Sequence, residues 1–473
     1  MFSQLNSPIS TSMDGVLSGR PLISLPGTNM ITPNQTSIQV LGPAAIASPL
    51  RLAHRSGEGP GAFVPDEIRV RYQIETATGH DLPADIFFEK AGPRETLFFE
   101  PGQTKAAIVT CGGVCPGLNN VVRSAVMEFY YNYGVQNVLG IRYGYAGLNP
   151  KIGLPPIELT PKSVSDIHEK GGTILGSSRG QQPSDIMAEF LVEQKINILL
   201  CIGGDGTLRG AQDIAQEAQS RGLNLAVVGI PKTIDNDVMY MSRTFGMTTA
   251  MEKAHQILDC AHSESRSAYN GVGLVKLMGR DAGFIAAGAT LASQEVNFCL
   301  IPEVPFFLQG DHGFLEALRR RLESAHHAVI AVAEGAGQDL IRVLPVETDP
   351  SGNKRYADIG VYLKEQIVKY FRQADIPVDV KYFDPSYFVR SVPANCEDAL
   401  LCDLLARNAV HAAMAGKTNV VVGFWNGTFT HIPISLAVSE KKRVDPQGLL
   451  WSSVLATTGQ RRQWVNQNPA TGR

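Results

Sequence analysis

The chain has 473 residues, of which 44% are apolar and 18% are charged, so it can bury several cores and is not disordered throughout. Lys and Arg number 42 and Asp and Glu 45, and the net charge of −3 does not favour a nucleic-acid-binding protein. No apolar run reaches the roughly 18 residues that a membrane-spanning helix requires, and no basic and apolar leader opens the sequence. We therefore expect neither a membrane anchor nor a secretory signal.

The first 38 or so residues are rich in Ser, Asn, Thr, Pro and Gly, which predicts a flexible arm or one that is ordered only against a partner subunit. Mixed apolar and polar runs at 66–76 and 95–100 predict edge strands. We assign these features to a small N-terminal region, residues 1–100.

From Lys105 onward, short apolar runs alternate with longer amphipathic stretches, which predicts an α/β fold with parallel sheets covered on both faces. In such sheets ligands bind beyond the carboxyl ends of the strands, and most of these runs end in glycine with charged residues close by. The predicted strands are 105–113, 137–144, 197–204, 223–230, 271–279, 327–335 and 418–427. The predicted helices are 116–132, 207–221, 246–262, 282–293, 312–325, 358–373 and 395–416.

The seven cysteines are widely spaced along the chain. An odd number at such spacing argues against a disulfide framework and for a reducing compartment. We therefore expect a cytoplasmic protein.

The first glycine-rich motif, CGGVCPGLNNVVR at 111–123, leads from a strand into a helix that Pro116 opens. Gly112 and Gly113 allow a ligand to approach the backbone closely, and a helix N-terminus favours anions. An ordinary strand-to-helix turn is the commoner interpretation of this motif taken alone.

The second motif, CIGGDGTLRGA at 201–211, places Asp205 inside a glycine turn ahead of a helix that Thr207 can cap. Such a turn makes a cradle of backbone N–H groups for phosphate, with a carboxylate placed to meet a metal ion. The alternative is that Asp205 only forms an Asx turn. A side chain at Gly206 would occupy the space over the phosphates.

The third motif, GIPKTIDNDV at 229–238, follows another strand with Asp235, Asn236 and Asp237. A carboxylate beside a hydroxyl nucleophile can accept its proton during attack on phosphorus, and Lys232 adds a compact positive charge. Clustered Asp and Asn are more often turn formers, so the two upstream glycine turns are what favour the catalytic interpretation.

Charged residues in later segments are candidates for binding a sugar phosphate. Arg280, Lys381 and Arg390 could clamp a monophosphate, and Glu334 could accept hydrogen bonds from sugar hydroxyls. Arg179, in LGSSRG at 175–180, could neutralise charge on a transferring phosphoryl group. Each of these residues alone is more often a solvated surface charge.

Taken in this order, the segments GGVCPGLNN, LGSSRG, GGDGTLRGA, PKTIDND, MGRDAG, AEGAG and YFDPSYFVR resemble the ATP-dependent 6-phosphofructokinases over roughly residues 105–430. The resemblance is strongest to the plant and trypanosomatid branch, which is related to the pyrophosphate-dependent enzymes. It implies two Rossmann-like parallel-sheet domains facing a cleft. We place a nucleotide-phosphate domain at 101–240, a sugar-phosphate domain at 241–420 and a C-terminal segment returning across them at 421–473.

The resemblance implies in-line transfer of a phosphoryl group from ATP, with Mg²⁺, to fructose 6-phosphate in glycolysis. Asp235 would be the proton acceptor and Asp205 the magnesium ligand, and Arg280, Gly206 and Lys232 would also act in catalysis. Residues implied to line the nucleotide phosphates are Gly113, Arg179, Gly180, Gly204, Asp205, Gly206, Thr207 and Gly210. Residues implied around the sugar phosphate are Thr233, Ile234, Asp235, Met278, Gly279, Arg280, Glu334, Lys381, Tyr387, Phe388, Val389 and Arg390.

The sequence departs from bacterial relatives at positions that bear on the phosphoryl donor. Lys232 stands where bacterial ATP-dependent enzymes have glycine and is shared with pyrophosphate-dependent relatives. Gly206 stands where pyrophosphate users typically have an aspartate that would repel the nucleotide, so ATP is favoured. Tyr387 replaces a histidine and can donate a hydrogen bond without carrying positive charge.

Three alternatives remain open at this point. The first is a pyrophosphate-dependent phosphotransferase acting on fructose 6-phosphate. The second rests on the GGDGT segment, which NAD kinases and diacylglycerol kinases also contain. The third is a catalytically inactive regulatory subunit. The resemblance also implies a homo-oligomer, either a dimer or a tetramer, under allosteric control.

Overall fold

In this computed structural model, residues 31–54, 58–59, 61–75, 86–152, 154–341, 356–462 and 464 are described. Apart from residues 31–38, the predicted N-terminal arm lies outside the described residues. The chain divides into two compact units, Met1–Ile31 and Thr32–Arg473, and the second unit carries every feature described below. The domain boundaries proposed from the sequence stay predictions.

The strands of the described chain belong to four sheets. In chain order the strands are β1 (Gln39–Val40), β2 (Ile46–Ala47), β3 (Arg69–Arg71), β4 (Phe87–Lys90), β5 (Thr96–Leu97), β6 (Lys105–Thr110), β7 (Asn137–Ile141), β8 (Ile157–Glu158), β9 (Ile198–Gly203), β10 (Ala226–Pro231), β11 (Gly271–Leu277), β12 (Phe298–Leu300), β13 (His327–Ala333), β14 (Asp379–Phe383), β15 (Lys417–Thr418), β16 (Val420–Trp425) and β17 (Thr428–Pro433).

The α-helices of the described chain cover the sheets and separate most of the parallel strands. They are α1 (Leu118–Met127), α2 (Ser184–Glu193), α3 (Asp205–Ser220), α4 (Met247–Arg266), α5 (Phe284–Ser293), α6 (Phe314–Ala325), α7 (Ile359–Gln373), α8 (Cys396–Met414), α9 (Ile434–Ala437) and α10 (Leu449–Thr458). In the part of the chain that is described, no helix combines the length and the hydropathy needed to cross a membrane.

The largest sheet has nine strands in the order β3-β4-β17-β16-β10-β9-β6-β7-β8. The strands from β16 to β7 run parallel, and antiparallel strands complete both edges. β9 and β10 are buried along their whole length, which explains why their sequences are continuous apolar runs. The predicted N-terminal strand at 66–76 appears as β3, and it lies at an edge of this sheet.

The second large sheet has four parallel strands in the order β12-β13-β11-β14. Two short antiparallel pairs, β1 with β15 and β2 with β5, complete the strand pairing. Two parallel-strand sheets with helices between their strands, together with N-terminal strands, confirm the predicted α/β fold.

One apolar core joins the two large sheets. It contains Leu200 and Val228 from the nine-stranded sheet and Val275 and Val329 from the four-stranded sheet. Because both sheets bury side chains in the same core, the carboxyl ends of their strands are held in fixed positions relative to each other.

Candidate active site

A cavity of about 370 Å³ lies where the carboxyl ends of strands from both large sheets meet. The loops after β6, β9 and β10 line it from the nine-stranded sheet, and the loop after β11 lines it from the four-stranded sheet. The three glycine and aspartate motifs of the sequence therefore converge on one space, at the sheet edge where α/β proteins bind ligands.

The turn after β6 brings three cationic side chains close to the backbone. A Cβ atom on Gly113 would lie 3.3 Å from a guanidinium nitrogen of Arg390 and 3.6 Å from one of Arg179. Lys232 donates a hydrogen bond from Nζ to the Gly113 carbonyl oxygen at 2.7 Å. Burial lowers the pKa of Lys232, and burial together with the charge of Arg179 lowers the pKa of Arg390. This concentration of positive charge favours a polyanionic ligand.

The N-terminus of α3 supplies a second anion-binding feature. Asp205 is the first residue of the helix, and its Oδ2 lies 3.2 Å from Nε of Arg209 one turn later. A Cβ atom on Gly206 would meet nothing within 4 Å, so the space above the start of the helix is open. Free backbone N–H groups and the helix dipole favour phosphate oxygens at this position.

Hydrogen bonds fix the loop that follows β10. Asn236 has a φ of 54°, and its Oδ1 accepts a hydrogen bond from the backbone N–H of Thr244 at 3.0 Å. Asparagine tolerates this left-handed conformation better than most residues do. The backbone N–H of Asp235 donates to Oγ1 of Thr233 at 3.1 Å. Asp235 and Asp237 are both held at the cavity as a result.

Asp235 has the properties of a general base. Its Oδ1 is buried and has no hydrogen-bond partner among the described residues. Burial raises the pKa of Asp235 to about 7, and the charges of Asp237 and Glu334 act in the same direction, whereas Arg280 and Lys441 act against them. A carboxyl group with a pKa near neutrality and an unused acceptor oxygen is suited to taking a proton from a hydroxyl group.

Residues of the four-stranded sheet add further charge to the cavity. Nε of Arg280, after β11, lies 3.3 Å from Oε1 of Glu334, which follows β13. The guanidinium carbon of Arg390, after β14, lies 4.9 Å from the centre of the Tyr387 ring. Both arginines line the cavity together with the residues of the nine-stranded sheet.

Most of the predicted site residues are brought together at this cavity. Those from the predicted nucleotide-phosphate set are Gly113, Arg179, Gly180, Gly204, Asp205, Gly206 and Thr207. Those from the predicted catalytic and sugar-phosphate sets are Lys232, Thr233, Ile234, Asp235, Met278, Arg280 and Arg390. Their individual ligand contacts stay predictions.

Several predicted residues do not line the cavity itself, namely Gly210, Gly279, Glu334, Lys381, Tyr387, Phe388 and Val389. Gly210 lies within α3, where a Cβ atom would be 2.5 Å from the Tyr145 ring, so close packing accounts for this glycine. Lys381 lies in β14, and its Nζ is 2.9 Å from Oδ2 of Asp379.

The cavity also contains residues that sequence reasoning missed, namely Tyr145, Gln181, Arg209, Asp281 and Lys441. Arg209 follows Asp205 by four positions, and on a helix this spacing predicts an ion pair between the two side chains. Lys441 belongs to a short charged run, SEKKR at 439–443, that resembles any solvated surface segment.

The donor groups of the cavity fit one Mg²⁺ ion that arrives with a phosphate chain. Among the described residues, no group of three or more His, Cys, Asp or Glu side chains could hold a metal ion alone. Asp205 offers a single carboxylate that is 26% exposed. Mg²⁺ commonly takes one or two carboxylates, keeps several water molecules and obtains its remaining ligands from phosphate oxygens.

The sequence profile of the family described as Phosphofructokinase matches residues 105–413, and the chain belongs to this family. The ATP-dependent 6-phosphofructokinase of Borreliella burgdorferi is 48% identical over 86% of this chain and 92% of the relative. The ATP-dependent 6-phosphofructokinase 7 of Arabidopsis thaliana is 46% identical over 80% of this chain and 78% of the relative.

Solved structures with similar folds carry the same family name. The pyrophosphate-dependent phosphofructokinase of Marinobacter aquaeolei has a TM-score of 0.62 and 18% identity over 78% of this chain and 94% of that one. The T-state phosphofructokinase of Pichia pastoris has a TM-score of 0.59 and 23% identity over 75% of this chain, which spans 37% of the yeast chain. At such identities the likeness shows the fold alone.

Proposed function

We propose that the protein transfers the terminal phosphoryl group of ATP to the 1-hydroxyl group of fructose 6-phosphate, a step of glycolysis. The observation that carries this proposal is the position of Asp235. Its unpartnered carboxylate oxygen lies in the same cavity as the anion-binding start of α3. A proton acceptor and a phosphate cradle in one space are what phosphoryl transfer to an alcohol requires.

The residues of the cavity can perform the step mainly by positioning and electrostatics. Asp235 accepts the proton of the sugar hydroxyl as its oxygen attacks phosphorus in line with the leaving group. Arg179 and Arg280 stabilise the charge that spreads over the phosphoryl oxygens in the transition state. The half-buried Arg390, beside Tyr387, binds the phosphate of the sugar and orients its hydroxyl group.

Mg²⁺ is part of this proposal, with Asp205 as its ligand from the protein. The bound ion offsets the negative charge of the phosphate chain. Arg209 is paired with Asp205 and limits the directions in which the carboxylate can point.

ATP is the proposed donor because the space above Gly206 is open, as the accommodation of a nucleotide requires. The pyrophosphate-dependent alternative is favoured by one observation, which is that Lys232 lies in the cavity with its ammonium group on the Gly113 carbonyl. ATP and pyrophosphate both present a phosphate chain to these residues. The open space above Gly206, which could accept the rest of a nucleotide, is therefore what favours ATP over pyrophosphate.

A comparison of the two donors tests the function directly. Purified protein with Mg²⁺ and fructose 6-phosphate should turn over ATP at least about 100-fold better than pyrophosphate, as measured by kcat/KM. Gly206→Asp should greatly reduce the activity with ATP, because its carboxylate fills and repels the phosphate space. Gly102→Asp is the matched control, since a Cβ atom there also meets nothing within 4 Å and the residue is not part of the cavity. Turnover with pyrophosphate alone would contradict the assignment of the donor.

We propose in addition that the chain works as a cytoplasmic dimer or tetramer under allosteric control, with separate nucleotide-phosphate and sugar-phosphate domains at 101–240 and 241–420. The family resemblance supports the assembly and the regulation, and seven free cysteines fit a reducing compartment. Light scattering after size-exclusion chromatography would measure the assembly, and a purely monomeric active enzyme would contradict it.

A further inference from the structure

The segment 438–444 follows α9 and lies beyond the residues that the family profile matches. It nevertheless runs along the loop after β10, to which its backbone is bound. The backbone N–H of Lys442 donates to the Asp237 carbonyl oxygen at 2.9 Å, and Val238 and Lys441 form an antiparallel bridge. The segment is therefore held next to the loop that carries the proposed base.

Both ends of this segment are fixed by residues from other elements. Arg209 donates to the Val438 carbonyl oxygen with the same guanidinium group that pairs with Asp205. At the other end, the backbone N–H of Val444 donates to Oε1 of Glu303 at 2.8 Å. The fold consequently sets the position of Lys441, which lies between the two anchored ends.

The side chain of Lys441 is directed at Asp237. Nζ of Lys441 lies 2.6 Å from Oδ2 of Asp237, and the two side chains are 31% and 12% exposed. Both residues line the cavity, and Asp237 is two positions after Asp235. An ion pair of this geometry and burial is expected to be stronger than an exposed one.

The charged groups that act on Asp235 make the role of this ion pair clear. Asp237 and Glu334 disfavour the ionised form of Asp235, and Arg280 and Lys441 favour it. Without Lys441, the charge of Asp237 would be less well compensated beside the proton acceptor, because Lys442, which also acts on Asp237, directs its ammonium group to the carbonyl oxygens of Met241 and Ser242. Two neighbouring carboxylates do not ionise independently, because the negative charge of one raises the pKa of the other.

Building on the proposed function, we propose that Lys441 is a positioning residue of the phosphoryl-transfer step, which pairs with Asp237 and so keeps Asp235 free to accept the proton of the sugar. The residue acts through Asp237 and through its field in the cavity. It is supplied by a part of the chain that lies outside the family match.

Lys441→Met tests this inference, because methionine keeps much of the side-chain volume and removes the charge. We expect kcat to fall about 10- to 100-fold with ATP, while KM for fructose 6-phosphate changes less than about threefold. The acid limb of the pH profile of kcat should move upward by about one pH unit, since Asp235 then ionises only at higher pH. Lys441→Arg should recover most of the activity.

Two controls separate this role from a structural one. Arg443→Met removes an exposed positive charge from the same segment and should leave kcat and the pH profile unchanged. In the background of Asp237→Asn, the substitution Lys441→Met should have a smaller effect than in the wild type, because the ion pair is already gone and only the direct field of Lys441 on Asp235 remains. A kcat within twofold of wild type in Lys441→Met, or an unmoved acid limb, would overturn the inference. Absence of activity in the wild type would overturn the proposed function instead.

Discussion

Nζ of Lys276 lies 2.8 Å from Oδ2 of Asp384, at the start of the loop that carries Tyr387 and Arg390. The same ammonium group lies 2.7 Å from Oδ2 of Asp358, the residue that caps α7. Lys276 is only 11% exposed, and although burial opposes it, the hydrogen bonds that the ammonium group donates to both carboxylates raise the pKa of this lysine. One charged side chain in β11 thus fixes the loop of the proposed sugar-phosphate residues.

Lys276→Met should release this loop. We expect KM for fructose 6-phosphate to rise about 3- to 30-fold, with a smaller change in kcat, because about 1–2 kcal/mol of hydrogen bonding to charged groups is lost. Steady-state kinetics at saturating ATP would measure the effect. Lys364→Met, at an exposed position on α7, is the control and should leave KM unchanged. Unaltered kinetics in Lys276→Met would show that the loop keeps its position without this lysine.

Asp235→Asn should abolish most of the proton acceptance while preserving the shape of the side chain. We expect kcat to fall about 10²- to 10⁴-fold while ATP still binds. In the wild type, kcat should fall as the pH drops below about 7, because burial raises the pKa of Asp235 to about 7 and only its ionised form accepts a proton. Stopped assays across pH 5.5–9 would test this, and a rate that is flat down to pH 5.5 would contradict the assigned base.

Glu89→Gln should destabilise the fold, because Glu89 is the shared partner of two buried cations, Arg94 and Lys417, and of the buried His431. Its Oε1 lies 2.8 Å from Nη2 of Arg94 and from Nζ of Lys417, and 2.7 Å from Nδ1 of His431. Burial favours protonation, but the hydrogen bonds from His431 and Lys417 and the charge of Lys417 prevail and lower the pKa of Glu89. We expect the free energy of unfolding to fall by about 3–5 kcal/mol.

Urea unfolding at neutral pH would measure this loss of stability. Glu95→Gln is the control, since Glu95 is 61% exposed in its pair with His54 and should contribute less than about 1 kcal/mol. Because the pKa of Glu89 is lower in the folded state, its contribution is present above the ordinary value of 4.5 and is lost as the pH falls below it. An equal effect of both substitutions would contradict the importance of the buried cluster.

Alkylation should distinguish the cysteines by burial. Burial raises the pKa of Cys111 to about 12, and burial also raises the pKa of Cys115. Cys260 and Cys396 are exposed and lie outside the cavity. Iodoacetamide at pH 8 should therefore modify Cys260 and Cys396 within minutes while activity is retained. Mass spectrometry of peptides would identify the sites, and rapid labelling of Cys111 in the native protein would contradict the prediction.

The strands that the sequence predicts well are those buried on both faces. β9 and β10 require apolar residues at every position, and a continuous apolar run can be recognised without knowing the partner strands. β17 was missed because its sequence, TFTHIP, buries Thr430 and His431. Glu89, in a strand more than 300 residues away along the chain, accepts a hydrogen bond from the buried His431. The apolar periodicity of a sequence does not reveal such a pairing.

The same distinction applies to the candidate site. Motifs such as GGDGT carry their own geometry, because glycine, aspartate and the following helix are contiguous, and this allowed Asp205 to be predicted as a site residue. Asp235 lies in a segment that is typical of turns, and it was predicted only because two glycine turns precede it along the chain. Lys441 depends on a tertiary contact with Asp237 across 204 residues, and nothing in its own segment marks it. Lys381 matched a family position, and it lies in β14 and is not among the residues that line the cavity, so its role in binding stays a prediction.

The order of strands in the nine-stranded sheet also has a consequence for biosynthesis. β10, which leads into the base-carrying loop, has β9 on one side and β16 on the other, and β16 is made of residues 420–425. On the ribosome, the flank of β10 that faces β16 stays uncovered until almost the whole polypeptide has emerged. Nascent chains shorter than about 430 residues therefore expose the unpaired backbone groups of this strand edge, which favours aggregation. We expect such chains to rely on chaperones.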